Sequence, residues 1–340
     1  MAEPKVSVLL AAYNTKEEYL RAAIDSVLAQ TFHDFELLIV DDASPDRNVE
    51  KVVKSYTDPR VKYFLNEQNM GISKTRTRLM QLAHGDYLAV MDHDDLILPE
   101  KLASQVSYLD SHPDIGICGT AYRRFGKRFK NNVVRHPEND REIRAWLFFK
   151  CVMHHPSVMI RRSVIADHNI GYDEKYISAN DQKLYLDISE YAGLHNLPDV
   201  LSLYRLHNGM TSTKQREKIS REQKELRKEL FNKLGVSLND AEIDIVNNYI
   251  MKGRSRIRNA NILREIERIL CAFVAANTVS KAFPEPEFSR VCAIYLIKRC
   301  FNASLWGLIG SRSLLRRTSL PVRDVKIPWL LKLMNCLLRG

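Results

Sequence analysis

The sequence has few cysteines and no long apolar run. Its six cysteines include no Cys-x-x-Cys pair, so they offer neither the disulfide framework of a small secreted domain nor zinc-ligand spacing. No stretch of about 18 uncharged apolar residues is present, so we predict no transmembrane helix. The N-terminus passes directly into an apolar strand without the features of a signal peptide. We therefore expect a reducing, cytoplasmic location.

Two common phosphate-binding loops are also missing. There is no Walker loop, and Ala11-Ala12-Tyr13-Asn14 stands where a glycine-rich loop would follow the first strand. Backbone amides therefore do not hold a nucleotide's phosphates in either of these ways. A metal ion that bridges protein carboxylates and a diphosphate is the remaining simple way to bind a nucleotide.

Charge is distributed unevenly along the 340 residues. Residues 251–340 contain 17 Lys and Arg but only 5 Asp and Glu, whereas the net charge of the whole chain is +10. A basic end on a near-neutral body favours an anionic partner surface, either nucleic acid or membrane phospholipid. Within this end, the basic and apolar residues around Arg316-Arg317 and Trp329–Met334 are typical either of a packed helix or of a helix at a membrane surface.

Strand and helix patterns alternate in the first part of the chain. Helical spacing covers residues 16–30, 49–56 and 73–82. These helices lie between four short apolar strands, Val6–Leu10, Leu37–Val40, Val61–Phe64 and Tyr87–Met91. The alternation predicts an α/β fold built on a parallel sheet. From about residue 215, Lys, Glu, Arg and Leu recur at helical spacing, so we predict an α/β domain over residues 1–214 and a basic helical region over 215–340.

Polar clusters follow three of the predicted strands: Tyr13-Asn14, Asp41-Asp42 and Asp92-His93-Asp94-Asp95. In open α/β sheets, ligands bind beyond the carboxyl ends of the strands, so these clusters are expected to line one crevice. Asp41 or Asp42 alone is equally typical of a helix N-cap. Three carboxylates within four residues repel one another, and this repulsion favours a bound divalent cation such as Mg²⁺ or Mn²⁺.

The order of these motifs resembles the family 2 glycosyltransferases, which have the nucleotide-sugar fold called GT-A. The resemblance covers about the first 210 residues. Within the family, the chain is similar to bacterial enzymes that extend lipooligosaccharide or capsule with hexose or N-acetylhexosamine. It rests on the following segments: Val6–Asn14, Ser26–Phe32, Val40–Ser44, Asn69–Arg76, Gly85-Asp86-Tyr87, Asp92–Asp95, His155–Arg162, Asn180-Asp181 and Tyr204–His207.

The resemblance implies a donor half over about residues 1–100 and an acceptor half over about 101–214. In the donor half, Ala11 and Tyr13 would contact the nucleotide, with Tyr13 against the uracil. Asp41 or Asp42 would accept the N–H of the uracil ring. Arg76 would reach the nucleotide, and Asp92 would contact the ribose or the sugar.

The resemblance also implies a metal site and a catalytic base. Asp94, with Asp95 as the alternative, would bind Mn²⁺ or Mg²⁺, and His207 would lie near the metal or the diphosphate. Asp181 would be the base, although a helix N-cap is the structural alternative for this residue. His155 and Asn180 would lie on the acceptor side. Asn180 departs from the glutamate common in the family, as Thr77 does from asparagine.

These roles predict an inverting, metal-assisted transfer of a sugar from a UDP-sugar to a hydroxyl of a cell-surface glycan or lipid-linked acceptor. Peripheral contact with the inner membrane leaflet would suit a lipid-linked acceptor. A nucleic-acid-binding protein is one alternative, but it would leave the acidic residues without a function. A sugar-nucleotide nucleotidyltransferase is another, although it would need a Gly-rich basic first loop. The adjacent His154-His155 is not expected to bind one metal ion, because neighbouring side chains on a predicted strand point apart.

Overall fold

The computed structural model describes residues 3–126, 132–177, 179–207, 216–251, 257 and 259–302. The chain forms two compact units. The first contains residues 1–143 and 151–223, and the second contains residues 144–150 and 224–340. The predicted features around Arg316-Arg317 and Trp329 lie outside the described residues.

The element bounds follow the predicted alternation closely in the first hundred residues. The strands are β1 (Val6–Ala12), β2 (Phe35–Asp41), β3 (Val61–Leu65), β4 (Tyr87–Asp92), β5 (Leu96–Ile97), β6 (Ile115–Phe125), β7 (Asn132–Val134), β8 (Met159–Arg161) and β9 (Gly193–Arg205). The helices of this part are α1 (Glu17–Leu28), α2 (Asn48–Lys54), α3 (Ile72–Leu82), α4 (Lys101–Ser111), α5 (Asp140–Leu147), α6 (Arg162–Asp167) and α7 (Asn180–Ile188).

All nine strands belong to one sheet, in the order β3-β2-β1-β4-β8-β6-β9-β5, with β7 paired to β6. The strands β1 to β4 are parallel, as predicted. The sheet as a whole is mixed, because β8 runs antiparallel to both β4 and β6. Since β9 is parallel to β6, the strands β1, β2, β3, β4, β6 and β9 all end at one edge, the carboxyl edge.

Both faces of the first strands are buried, which explains why their sequences are continuously apolar. Val8 and Leu10 of β1 share a core with Leu20 and Ile24 of α1, and the same core includes residues of α2 and α4. The alternate residue Leu9 is also buried, and α3 contacts β1 and β2. The sheet is therefore held rigidly between helices, and its strand ends are fixed in position.

Gly85 shows why one motif of the resemblance needs glycine. A Cβ atom at this position would lie 2.5 Å from the backbone nitrogen of Ser7, closer than real Cβ contacts allow. The Gly85 amide donates a hydrogen bond to the Ser7 hydroxyl, which in turn donates to the buried carboxylate of Glu36. This polar contact joins the start of β4 to β1 and β2.

The second unit is helical in its described part. It contains residues of α8 (Arg216–Leu234), followed by α9 (Asp240–Ile245), a π-helical segment (Val246–Met251), α10 (Ala260–Ser280) and α11 (Glu287–Asn302). The ring of Phe148 lies at the centre of an aromatic cluster, with centroids 4.8–5.9 Å from Phe149, Phe231, Phe273, Phe283 and Phe288. This packing explains why residues 144–150 belong to the second unit.

The described helices include none that is long and apolar enough to cross a membrane. Cys118 and Cys292 are buried free thiols.

Candidate active site at the carboxyl edge

The strand register brings the predicted donor residues to the carboxyl edge. Ala11 of β1 lies opposite Asp92 of β4, and Ala12 lies opposite Asp41 of β2. Tyr13 follows directly and is 47% exposed, so its ring is free to pack against a planar ligand. The Ala11 side chain is buried within the strand. Only the backbone of Ala11 therefore contributes to the carboxyl edge at this point.

Asp41 and Asp42 are buried and serve the local backbone. Asp41 accepts hydrogen bonds from the amide and hydroxyl of Ser44 and from the Tyr63 hydroxyl at 3.0 Å. Asp42 accepts from the Met70 and Gly71 amides at 2.8 and 2.9 Å. Because Gly71 precedes α3, Asp42 fixes the start of that helix. The structure therefore gives both carboxylates a scaffolding role at the carboxyl edge, where the sequence predicts the donor crevice.

Arg205, at the end of β9, holds the turn that follows β4. Its guanidinium donates to the backbone oxygen of Asp94 at 2.7 Å, and its amide donates to the Asp95 carboxylate at 2.8 Å. These two bonds bring His207 to Asp94, where Nε2 lies 2.7 Å from the carboxylate Oδ2. Sequence reasoning missed Arg205, although it stands within the Tyr204–His207 motif. Two residues far apart in sequence thus converge on one point.

Asp95 lies deeper than Asp94. It is 2% exposed, and its Oδ2 atom has no hydrogen-bond partner within the part of the chain that the structure describes. Burial, together with the charges of Asp92 and Asp94, raises the pKa of Asp95 well above its ordinary value. The nearest basic atom is Nε2 of His154, at 3.9 Å. Asp95 therefore faces the protein interior, and Asp94 is the carboxylate paired with His207.

Arg76 forms an ion pair with Asp92. A guanidinium nitrogen of this α3 residue lies 2.8 Å from the carboxylate Oδ1, and the group also sits 5.7 Å from the ring centre of Tyr172. Burial alone would lower the pKa of Arg76, but the charge and hydrogen bond of Asp92, together with Tyr172 and Asp181, raise the pKa. Tyr172 was not anticipated from the sequence, because no motif marks it.

Asp181 is in the first turn of α7 but is not its N-cap, which is Ala179. Its carboxylate accepts the Gln182 amide at 2.7 Å. Burial raises the pKa of Asp181, while this amide and the charge of Arg76 act in the opposite direction. The charges of Arg76 and Asp92 both affect the pKa of Asp181, so the predicted base lies in the neighbourhood of these two predicted donor residues.

The two predicted acceptor-side residues are enclosed by protein. His155 Nδ1 lies 2.7 Å from the Tyr185 hydroxyl, and its Nε2 lies 3.0 Å from the Tyr172 hydroxyl. Burial, with the charge of Arg76, lowers the pKa of His155 well below its ordinary value. Asn180 is buried and donates to the Ser73 hydroxyl at 3.2 Å. In this structure both residues join elements around the site rather than line an open surface.

The strand predicted at His154-His155 is wrong. Residues His155–Ser157 form a 3-10 turn, since Pro156 suits the start of such a turn and has no amide for a strand. The two imidazoles nevertheless point to different neighbours. The His154 ring stacks on the Tyr122 ring with 3.9 Å between the ring centroids, and His155 lies between Tyr172 and Tyr185.

Asp94 and His207 fit a divalent metal ion as a pair. They supply one carboxylate oxygen and one imidazole nitrogen at the same point, at the carboxyl edge beside Asp92. The described residues contain no cluster of three or more His, Cys, Asp or Glu side chains that would enclose an ion. A two-residue site keeps most coordination positions for diphosphate oxygens and water, as a nucleotide-bound Mn²⁺ or Mg²⁺ requires.

Solved structures with the same architecture are nucleotide-sugar transferases of the GT-A fold. The residue 1–349 fragment of S. aureus TarS in complex with UDP-GlcNAc aligns with a TM-score of 0.57, 19% identity and coverage of 88% of this chain and 89% of that one. A mannosyltransferase from Pyrobaculum calidifontis, in complex with GDP-Man and Mn²⁺, aligns with a TM-score of 0.53, 16% identity and coverage of 88% and 87%. The predicted fold class is confirmed.

The chain belongs to glycosyl transferase family 2, whose profile matches residues 7–168. An uncharacterised glycosyltransferase of Haemophilus influenzae is 30% identical over 61% of this chain and 78% of its own length. An uncharacterised glycosyltransferase of Methanocaldococcus jannaschii is 31% identical over 55% of this chain and 65% of its own length. The amylovoran biosynthesis glycosyltransferase AmsE of Erwinia amylovora is 29% identical over 61% and 78%. The protein is therefore a glycosyltransferase, as the sequence predicted.

Proposed function

We propose that this enzyme transfers a sugar, with inversion, from a UDP-sugar to a hydroxyl of a cell-surface glycan or lipid-linked acceptor. The observation that carries the proposal is the pair formed by Asp94 and His207 at the carboxyl edge. Two further groups support it: the exposed Tyr13 ring after β1, and the half-buried Asp181 carboxylate, on which Arg76 and Asp92 act electrostatically.

The donor would lie across the ends of β1, β2 and β4. Tyr13 would flank the uracil, and the loops held by Asp41 and Asp42 would form the wall of the base site. Arg76 and Asp92 orient each other and would contact the nucleotide and the sugar. Asp94 and His207 would hold Mn²⁺ or Mg²⁺. Asp95 would keep the turn in place through the hydrogen bond that it accepts from the Arg205 amide. The bound ion would stabilise the charge that develops on the departing diphosphate.

Asp181 would accept the proton of the attacking acceptor hydroxyl. A carboxylate with a raised pKa is a stronger base than an ordinary aspartate, which suits this role. The proposal contains one base and no nucleophilic carboxylate, so substitution occurs in one step on the opposite face of the sugar. Inversion at a UDP-α-sugar gives a β-linkage.

The first test is release of UDP from a panel of UDP-sugars with Mn²⁺ or Mg²⁺, before and after addition of a chelator. We expect release with at least one donor and its loss on chelation, and mass spectrometry of the product would identify the sugar. GDP-mannose serves as the comparison donor. The absence of metal-dependent release, and of binding, across the whole panel would contradict the proposal.

The proposed acceptor class also includes peripheral contact with an anionic inner membrane leaflet. The support is the excess of basic residues in 251–340, since each basic group near such a surface adds on the order of 1 kcal/mol. Truncation after residue 310 is expected to reduce co-sedimentation with phosphatidylglycerol vesicles but not with phosphatidylcholine vesicles, and to leave UDP release unchanged. Equal co-sedimentation of the full and shortened chains would rule out this contact.

A further inference from the structure

A second group of side chains lies at the carboxyl edge beside the proposed donor site. It consists of Tyr122, Arg124, His136, His154 and Tyr204, which we call the aromatic–basic face. The Tyr122 and His154 rings stack at 3.9 Å, and Tyr204 meets His154 edge-on at 4.9 Å. His136 lies 5.9 Å from Tyr122, and the Arg124 guanidinium lies 5.9 Å from the same ring. None of these residues has a role in the donor site described above.

The strand order places this face away from the nucleotide. Tyr122 and Arg124 are near the end of β6, and Tyr204 lies opposite Arg124 on β9. Strand β8 separates β6 from β4, so the face is further along the carboxyl edge than Asp92. His154 connects the two regions, because its Nε2 atom is 3.9 Å from Asp95. A molecule on this face would therefore be close to the reacting end of the donor.

The chain segment that carries Tyr122 and Arg124 is basic, whereas Asp95 lies on the donor side of His154. Residues 115–137 contain six Arg and Lys and no Asp or Glu. Arg124 forms no ion pair with a carboxylate among the described residues, and its buried Nε atom has no hydrogen-bond partner. Its only protein acceptor in that part of the chain is the Tyr122 hydroxyl, at 3.4 Å. The half-buried guanidinium therefore has no charged acceptor among the described residues, and an anionic oxygen at its terminal nitrogens would supply one.

Arg123 provides a contrast on the same strand. Successive side chains of a strand point to opposite faces, so Arg123 points away from Tyr122 and Arg124. It lies opposite Val133, whereas Arg124 lies opposite Asn132. Arg123 is also exposed, whereas Arg124 is half-buried. The neighbouring arginines therefore carry the same charge but occupy different surroundings.

We infer that the aromatic–basic face binds the acceptor, and that Arg124 recognises an anionic group, a carboxylate or a phosphate, on the acceptor sugar. The half-buried His154 and Tyr204 rings, packed on the buried Tyr122 ring, supply the surface on which a sugar ring packs. The inference rests on the proposed transferase function and adds the chemical class of the acceptor. It assigns Arg124 to substrate choice rather than to the donor diphosphate, which lies on the other side of β8.

The experiment compares three matched sugars by ligand-observed NMR titration. The sugars are methyl β-D-glucopyranoside, its uronate and its 6-phosphate, with wild type, Arg124→Gln and Arg123→Gln. In the first series the enzyme is saturated with UDP, so that the 6-phosphate cannot occupy the donor site. A second series contains no UDP, so that its result does not depend on the donor. Thermal unfolding verifies that the variants are folded.

We expect wild type to bind at least one anionic sugar about 10- to 100-fold more tightly than the neutral sugar. Arg124→Gln should abolish this preference, whereas Arg123→Gln should keep it, and UDP affinity should be unchanged in both variants. Preference for the uronate alone or the 6-phosphate alone identifies the anion.

Equal binding of the three sugars to wild type would overturn the inference. Equal loss of the preference in both variants would overturn it too, since that result indicates general surface charge. Weaker UDP binding by Arg124→Gln would assign the residue to the donor. Failure of wild type to release UDP from any sugar nucleotide would contradict the proposed function instead. The binding series without UDP does not depend on that function.

Discussion

Replacement of Asp94 by alanine is expected to lower turnover by about a thousandfold or more, and to remove the dependence on Mn²⁺ or Mg²⁺. The physical reason is that a bound metal ion contributes several kcal/mol to stabilising the leaving diphosphate, and about 1.4 kcal/mol corresponds to a factor of ten in rate. Asp94 is the carboxylate that His207 Nε2 approaches at 2.7 Å, so its loss leaves the imidazole as the only remaining ligand of the pair.

The matched control for this prediction is His93→Ala, in the same turn. His93 is half-buried, and its Nδ1 atom has no hydrogen-bond partner among the described residues, so this atom is bonded neither to Asp94 nor to His207. We expect this variant to keep both turnover and metal dependence. The measurement is the initial rate of UDP release against metal concentration. An Asp94→Ala enzyme that retained a normal metal titration would assign the metal to other residues.

Replacement of Asp181 by asparagine is expected to lower kcat by about 10²- to 10⁴-fold, the usual contribution of a general base. Asparagine keeps the size and the acceptor oxygen that Gln182 uses, so the start of α7 is preserved. UDP affinity should not change, because the proposed function assigns Asp181 to the acceptor hydroxyl and not to the nucleotide. Loss of kcat without loss of nucleotide binding therefore distinguishes a base from a structural residue.

The pH dependence gives a second measurement on Asp181. Only the deprotonated carboxylate accepts a proton, so the rate should rise with pH through the pKa of this group. Burial raises that pKa, so the acidic limb of the wild-type profile should lie above the ordinary aspartate value of about 3.9. The limb should disappear in Asp181→Asn, when the residual rate is followed over the same pH range.

Asp187→Asn is the control for the second prediction. It makes the same chemical change on the same helix, where Asp187 forms an ion pair with Lys183 across one turn. Such a pair stabilises a protein by less than about 1 kcal/mol, so kcat and the pH profile should be unchanged. Equal losses in Asp181→Asn and Asp187→Asn would indicate damage to α7 and would remove the role of Asp181 as the base.

The first half of the fold could be predicted because its signals are local. Each of the first four strands is a short apolar run, and each following helix has apolar residues at helical spacing, so β1 to β4 and α1 to α3 were identified within a few residues. The carboxyl-edge position of Asp41 and Asp92 follows from the same alternation. Local signals fail at His154-His155, where a proline turn replaces the expected strand.

The different contacts of Asp92, Asp94 and Asp95 could not be predicted from the local sequence. The sequence shows three carboxylates in four residues, but it does not show that Asp92 meets Arg76, that Asp94 meets His207, or that Asp95 is turned inward. The Arg205 bonds that decide this come from a strand more than a hundred residues later. Arg205 has no pattern of its own that marks it as the residue holding this turn.

By itself, the sequence determined the α/β class, the family and the set of polar residues that follow the strands, because alternation and motif order are properties of the chain. Only the tertiary structure decided how these residues are used. Partners and burial depend on which distant strand lies alongside, as for Asp94 with His207 and for Tyr122 with His154. The fold therefore set the Oδ2 atom of Asp94 beside an imidazole and enclosed Asp95, although the two residues are adjacent in the chain.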